Sequence, residues 1–146
     1  MTLQVELVSP ERILYSGEAD MVIARTVGGG EIAFLSGHAP FVGALDIASV
    51  TIRSESEGDK TVAVHGGFIE VSAPPASAEA GAGADGGAPT TTVTVLSDVA
   101  EMSDQIDVDR ARQAQDKAQE RLQQGDDEEA QAALRRAQLR VNTAIG

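Results

Sequence analysis

The chain contains no cysteine and no tryptophan, and one tyrosine and three phenylalanines among its 146 residues. Without cysteine there is no disulfide and no thiolate metal site. With 3% aromatic residues, few side chains could stack on nucleic acid bases. No run of about 18 apolar residues is present, so no helix is expected to span a membrane. Cations are scarce too: 11 Lys and Arg stand against 23 Asp and Glu, a formal charge of −12. Such an acidic body repels phosphates and argues against a nucleic acid partner. The opening residues, Met-Thr-Leu-Gln-Val-Glu, lack the basic and apolar regions of a secretory signal, and the expected location is cytoplasmic.

What is present falls into two kinds of periodicity. In "LQVELV", Leu3, Val5 and Leu7 alternate with Gln4 and Glu6, the period of a half-buried strand. "DMVIART", "GEIAFL", "IASVTIR" and "KTVAVHGGFIEV" follow, divided by turn signals such as Ser16-Gly17, Gly28-Gly29-Gly30 and Glu57-Gly58-Asp59. Strands so closely spaced predict an antiparallel sandwich or barrel. Residues 72–90, "SAPPASAEAGAGADGGAPT", have too little apolar bulk to offset the entropy of ordering them. They read as a flexible insert between two strands, since "TTVTVLSDV" resumes the strand pattern afterwards.

From about residue 104 the period becomes helical. Ala111, Ala114, Ala118 and Leu122 share one helical face. Ala130, Leu134, Ala137, Val141 and Ala144 recur at alternating spacings of four and three. Between the two patterns, Gly125 is suited to ending the first helix in the left-handed conformation. Asp126 is placed to cap the second, with Glu129 in capping-box position. The predicted class is α+β: a β-sandwich over residues 1–102 and an antiparallel two-helix hairpin over residues 103–146. At ~25 cal/mol per Å² an alanine seam recovers little on burial, so the hairpin should hold weakly.

Each candidate motif has a plainer role beside it. "GGGEIA" fits a loose dinucleotide fingerprint, but that motif needs a following helix, and "FLSGHAP" cannot form one. Ser36 and His38 lack a nucleophile elbow and an orienting acid. His38, His65 and Glu31 make an incomplete metal set without ligand spacing, and no metal site is expected. The cations, by contrast, are concentrated. Residues 1–103 carry 14 acids and 4 bases, whereas residues 104–146 carry 9 acids and 7 bases. Arg136 and Arg140 are i, i+4 neighbours, and folding the hairpin about residues 125–126 brings Arg110 and Lys117 opposite positions 141 and 134. Four cations converging on one side suit an anion, either phosphates or acidic side chains of a protein. A solvated charged face is the alternative.

Four stretches together resemble the epsilon-subunit family of F-type ATP synthases, the counterpart of the mitochondrial delta subunit. "GEIAFLSGHAP" is similar to the family's G-E-x-G-x-L-P-G-H-A-P stretch, with Ala33 for a glycine and Ser36 for a proline. "GGFIEV" and "VTVLSDVAE" are similar to two further stretches, and "IDVDRA" resembles the I-D-x-x-R-A motif of ATP-binding bacterial members. The likeness runs through nearly the whole chain in order, and the 72–90 insert is longer than the family's turn there.

The resemblance implies a central-stalk subunit without catalytic activity, peripheral on the cytoplasmic face of the cell membrane. It would fasten the gamma shaft to the c-ring and restrain ATP hydrolysis when its hairpin extends along gamma into the alpha/beta head. Glu31 and His38 would lie on the c-ring docking face, with His38 a turn residue and not a base. In the extended hairpin, Arg135, Arg136 and Arg140 would meet acidic residues of a beta subunit. No cofactor is implied as required, but ATP would be a regulatory ligand of the folded hairpin. Its site would draw on Glu101, Ile106, Asp107, Arg110, Ala111, Lys117, Arg136 and Arg140, with Lys117 replacing an arginine. A free-standing nucleotide-sensing module is the competing reading, and an enzyme lacks a catalytic constellation.

Overall fold

The computed structural model describes residues 2–72, 91–125 and 127–145. The insert over 72–90 lies, but for Ser72, outside the described residues, as does the expected cap Asp126. Eight strands come first: β1 (Leu3–Val8), β2 (Ile13–Ala19), β3 (Met21–Thr26), β4 (Gly30–Leu35), β5 (Phe41–Arg53), β6 (Lys60–Ser72), β7 (Thr92–Leu96) and β8 (Ala100–Met102). A 3-10 turn over Ser103–Gln105 leads into α1 (Val108–Gln123), and α2 (Glu128–Ile145) completes the hairpin.

The strands bond in the order β2-β1-β7-β6-β5-β3-β4, with β8 added to β6. All pairings are antiparallel except β1 with β7, which run parallel. The 13-residue strands β5 and β6 tie the sandwich together. The C-terminal half of β6 joins β7, through Phe68↔Leu96 to Ser72↔Thr92, its N-terminal half joins β8, and β5 joins β3, chiefly through its C-terminal end. Long strands that serve both layers must bend, and β6 does so at Gly66 and Gly67, where φ is +87° and +126°. A Cβ on Gly67 would stand 2.0 Å from the Leu96 carbonyl oxygen. Only glycine allows the bend and the close approach of β7 together. "TTVTVLSDV", read as one strand, is broken at Ser97: its hydroxyl donates to the Gly66 and Val99 carbonyls at 2.7 and 2.9 Å. The chain therefore leaves β7 and re-enters as β8 on the other half of β6.

Period-2 alternation carries through to the interior. Leu3, Val5 and Leu7 of β1 meet Val93 and Val95 of β7 and Ile69 and Val71 of β6 in one buried cluster. Val22, Ala24, Phe34, Val50, Ile52, Val62 and Val64 complete it from the other layer. Every member of this cluster, and every partly buried residue packed on it, comes from the strand region.

The hairpin has a separate seam. Ala111 and Ala118 of α1 and Ala130 and Ala137 of α2 are buried, and α2 lies against β5 and β6. Asp107 caps α1 by accepting from the Arg110 amide at 3.1 Å. Asp127 performs the cap expected of Asp126, accepting from the Glu129 and Ala130 amides at 3.0 and 3.3 Å. These amides and the paired Arg121 hold its carboxyl below the usual value despite some desolvation. Gly125 has φ +151°, a glycine conformation but not the left-handed cap near +57°. The first helix instead closes with the Gln124 and Gly125 amides donating to the Arg121 and Leu122 carbonyls.

Because the sandwich core contains no hairpin residue, a fragment of residues 1–103 should fold on its own. Circular dichroism and cooperative denaturation should show a stable β-protein. An unfolded or aggregated fragment would mean that α2 is part of the sandwich's core after all.

Candidate functional site

Where β8 hands over to the hairpin, a cleft of about 390 Å³ opens, lined by Glu101, Gln105, Ile106, Asp107, Arg110, Ala111, Ala114 and Arg140. Each element contributes for a local reason. Glu101 projects from β8 opposite Ala63 of β6. Ile106 and Asp107 form the extended entry to α1, where the Asp107 cap fixes the first turn and with it Arg110. Ala111 and Ala114 keep the helix surface low enough to leave room. Arg140 arrives from α2, its Nε donating to Glu101 Oε2 at 2.8 Å. The cleft thus joins two guanidiniums, two carboxylates and an apolar wall, a composition suited to an anionic ligand with an apolar part.

Five of the eight residues named for a nucleotide line this cleft together with Arg140, which makes six: Glu101, Ile106, Asp107, Arg110, Ala111 and Arg140. Lys117 and Arg136 do not line it. Lys117 is exposed on α1, and Arg136 donates to Glu129 Oε1 at 3.0 Å along its own helix. The expected convergence of four cations is therefore realised for Arg110 and Arg140 alone. Distance along the helices explains this: Lys117 and Arg136 share faces with Arg110 and Arg140, but each lies a turn or more along its helix from the mouth set by the β8 junction.

The three α2 arginines share another property. Arg135 pairs with Asp46 of β5 at 3.0 Å, Arg136 with Glu129 at 3.0 Å and Arg140 with Glu101 at 2.8 Å. Two of these acids belong to the sandwich, so the docked hairpin is held down by Asp46 and Glu101. The pairs are partly exposed, and each such pair stabilises by only about 0–1 kcal/mol. Behind Glu101 lies His65, whose side chain is 4% exposed and whose Nε2 stands 3.8 Å from Glu101 Oε2. Neither of its ring nitrogens has a hydrogen-bond partner. Burial pushes its pKa down, Arg140 and Arg136 add to the shift, and Glu101 opposes it.

Glu31 and His38 sit at opposite ends of β4. Glu31 pairs across with Arg25 and lines a second cleft, of about 340 Å³, beside Leu139, Asn142 and Thr143 of α2. His38 is fixed in the turn beyond the strand. Its amide donates to the Leu35 carbonyl at 3.0 Å, and its ring stands edge-on to Phe34 with centroids 5.0 Å apart. The Gly37 amide donates to Thr91 Oγ1 at 2.8 Å, which anchors the same turn. This is a structural tie and gives Ser36 no base. Among the described residues no group of three or more His, Asp or Glu side chains is placed to hold a metal.

Two features escaped the sequence reading. His65 could be found only by knowing how α2 registers on β6. The other is an apolar row across the outer face of the sandwich: Ile13, Val8, Leu96, Phe68 and Ala44 stand opposite one another on successive strands. Phe68 is 56% exposed and Ile13 63%. Exposed apolar runs of this kind mark contact surfaces. The signal was present at Phe68, which breaks the inward alternation of β6.

Known proteins supply the context. Residues 2–76 match the family model "ATP synthase, Delta/Epsilon chain, beta-sandwich domain". Residues 104–144 match "ATP synthase, Delta/Epsilon chain, long alpha-helix domain". The ATP synthase epsilon chain of Streptomyces coelicolor is 37% identical over 144 residues, covering 99% of this chain and 96% of that one. That of Thermobifida fusca is 40% identical over 145 residues, covering 97% and 93%. In fold, the chain is similar to one in the Euglena gracilis mitochondrial ATP synthase structure comprising OSCP, F1 and the c-ring. There the TM-score is 0.74 at 19% identity, over 99% of this chain and 82% of the other. The chain belongs to the ATP synthase delta/epsilon family.

Proposed function

We propose that this chain is a non-catalytic rotor subunit that fastens a gamma shaft to the c-ring and restrains ATP hydrolysis through its hairpin. The observation that carries this reading is the way α2 is held. Its packing face is small, with Ala130 and Ala137 as the buried hydrophobic residues among those described, and its arginines lean on Asp46 and Glu101. A hairpin so attached can leave the sandwich without disturbing the core. Once released, Arg135, Arg136 and Arg140 are free to meet acidic residues of a beta subunit. The outer row of Ile13, Val8, Leu96 and Phe68 offers gamma an apolar seat, while Glu31 and the His38 turn are assigned to the c-ring side. Among the described residues no helix is long and apolar enough to cross a membrane; association with the cytoplasmic face of the membrane would run through the complex.

Removing residues 104–146 should raise the ATPase rate of the reassembled head, and charge reversal at Arg135, Arg136 and Arg140 should do so in part. Unchanged rates in both variants would reject hairpin restraint. Co-purification of gamma with the intact chain, weakened by Phe68→Asp, checks the rotor role against a free-standing module; no gamma in the eluate would favour the module.

The cleft at Glu101 and Arg140 supports ATP as a regulatory ligand of the docked hairpin. Arg110 and Arg140 would meet phosphates, Ile106 and Ala111 would pack on the base, and Asp107 would keep its capping role beside the adenine. Lys117 and Arg136 would contribute only through their charge. A ligand bound only when the hairpin is down stabilises that state by RT ln(1 + [L]/Kd), about 2.7 kcal/mol at a hundredfold excess over Kd. ATP titration of the isolated chain by calorimetry should show binding that Arg110→Ala with Arg140→Ala abolishes. Equal binding by that double variant, or none at millimolar ATP, would remove the ligand and leave the rotor role in place.

A further inference from the structure

His65 is the one histidine among the described residues buried between the sandwich and α2, and the roles assigned above do not use it. The groups facing it come from every neighbouring element. Glu101 on β8 lies 3.8 Å from its Nε2. From α2, Arg140 and Arg136 act on it electrostatically. On β5 it stands opposite Ile47, whose neighbour Asp46 is already paired with Arg135. Asp98, in the turn before β8, shares a cleft with it but is exposed. The single close carboxylate, Glu101, already accepts from Arg140 at 2.8 Å.

We propose that His65 is a proton-controlled latch: its protonation adds a buried cation beside Arg136 and Arg140, sets it in competition for Glu101, and releases α2 from the sandwich. A neutral imidazole here leaves both ring nitrogens without hydrogen-bond partners, a cost smaller than that of burying a charge. An imidazolium would be desolvated and would face two guanidiniums with one shared carboxylate. Undocking returns the ring to water and removes α2's arginines. The shift has the matching sign: the docked state depresses the pKa of His65 below 6.5, mainly by burial and then by Arg140. Docking is therefore fully favoured above that value. It is lost as pH falls through about 6.5 toward the docked-state value, because the released form binds the proton more tightly. The inference rests on the hairpin's release proposed above, and it makes that release responsive to protons.

The absence of cysteine makes the test direct. Val27→Cys with Gln138→Cys places two spin labels, on an exposed sandwich loop and on the exposed side of α2. Their distance distribution in the full chain reports docked and released populations between pH 7.5 and 5.5. In the parent chain the released-to-docked ratio should rise as pH falls below 6.5, by at most about tenfold per pH unit for one linked proton. With His65→Gln it should stay flat over that range, while Arg140→Ala should raise the released fraction at every pH. The same pH response in His65→Gln would overturn the latch. So would an imidazole of His65 that titrates by NMR at or above 6.5 in the docked parent chain, a measurement that decides the matter even where His65→Gln fails to fold. A short distance at every pH in Arg140→Ala as well would show that α2 is not released at all, and both the latch and the release would fall.

Discussion

The Arg140–Glu101 pair is the contact on which the arrangement of the hairpin depends. Glu101 sits on a three-residue strand that exists only because the chain breaks at Ser97 and re-pairs with β6. Arg140 lies near the far end of α2, more than three turns from the Asp127 cap. Joining them closes a loop through β8, both helices and the sandwich. One carboxylate then sets the position of α2 on the sheet, forms a wall of the cleft and governs the surroundings of His65. The bend at Gly66 and Gly67, directly after His65, lets β7 approach β6 beside this junction.

The two parts of the molecule differ in what holds them. The sandwich interior is filled by valine, isoleucine, leucine and a buried phenylalanine, which at ~25 cal/mol per Å² supply a large apolar driving force. The hairpin seam is filled mainly by alanine methyl groups, and the contact with the sandwich relies on partly exposed ion pairs. Such an interface is weak and sensitive to charge. It is suited to an equilibrium that a ligand, a proton or a partner can move, since shifting a marginal balance needs only modest differential binding.

Much of this was legible in the sequence. Alternation in "LQVELV" and the alanine spacings of the last 40 or so residues are local patterns, and they gave both halves of the fold. The cleft residues Ile106, Asp107, Arg110 and Ala111 were legible because all four fall in the single stretch "IDVDRA", at the entry and first turn of α1. What was less legible depends on how distant elements meet. Lys117 and Arg136, which the resemblance and the hairpin geometry both pointed to, share faces with Arg110 and Arg140 but lie a turn or more along their helices from the cleft, whose place is set by where Glu101 of β8 meets α2. The cap of α2 is Asp127, which also pairs with Arg121, while the expected Asp126 lies outside the described residues. His65 and the outer apolar row depend on register between distant strands, and no local period encodes that.

The central claim is that charge pairing between α2 and the sandwich holds the hairpin down. A double-mutant cycle tests it most directly: Glu101→Gln, Arg140→Gln and the pair together, read as hydrogen exchange of α2 amides in the full chain. The two side chains are 33% and 29% exposed, and such a pair should show a coupling of about 0.2–1 kcal/mol. Either single change should then speed α2 exchange, and the second should add little once the first is made. Fully additive effects, or α2 exchange unchanged by either substitution, would contradict the account.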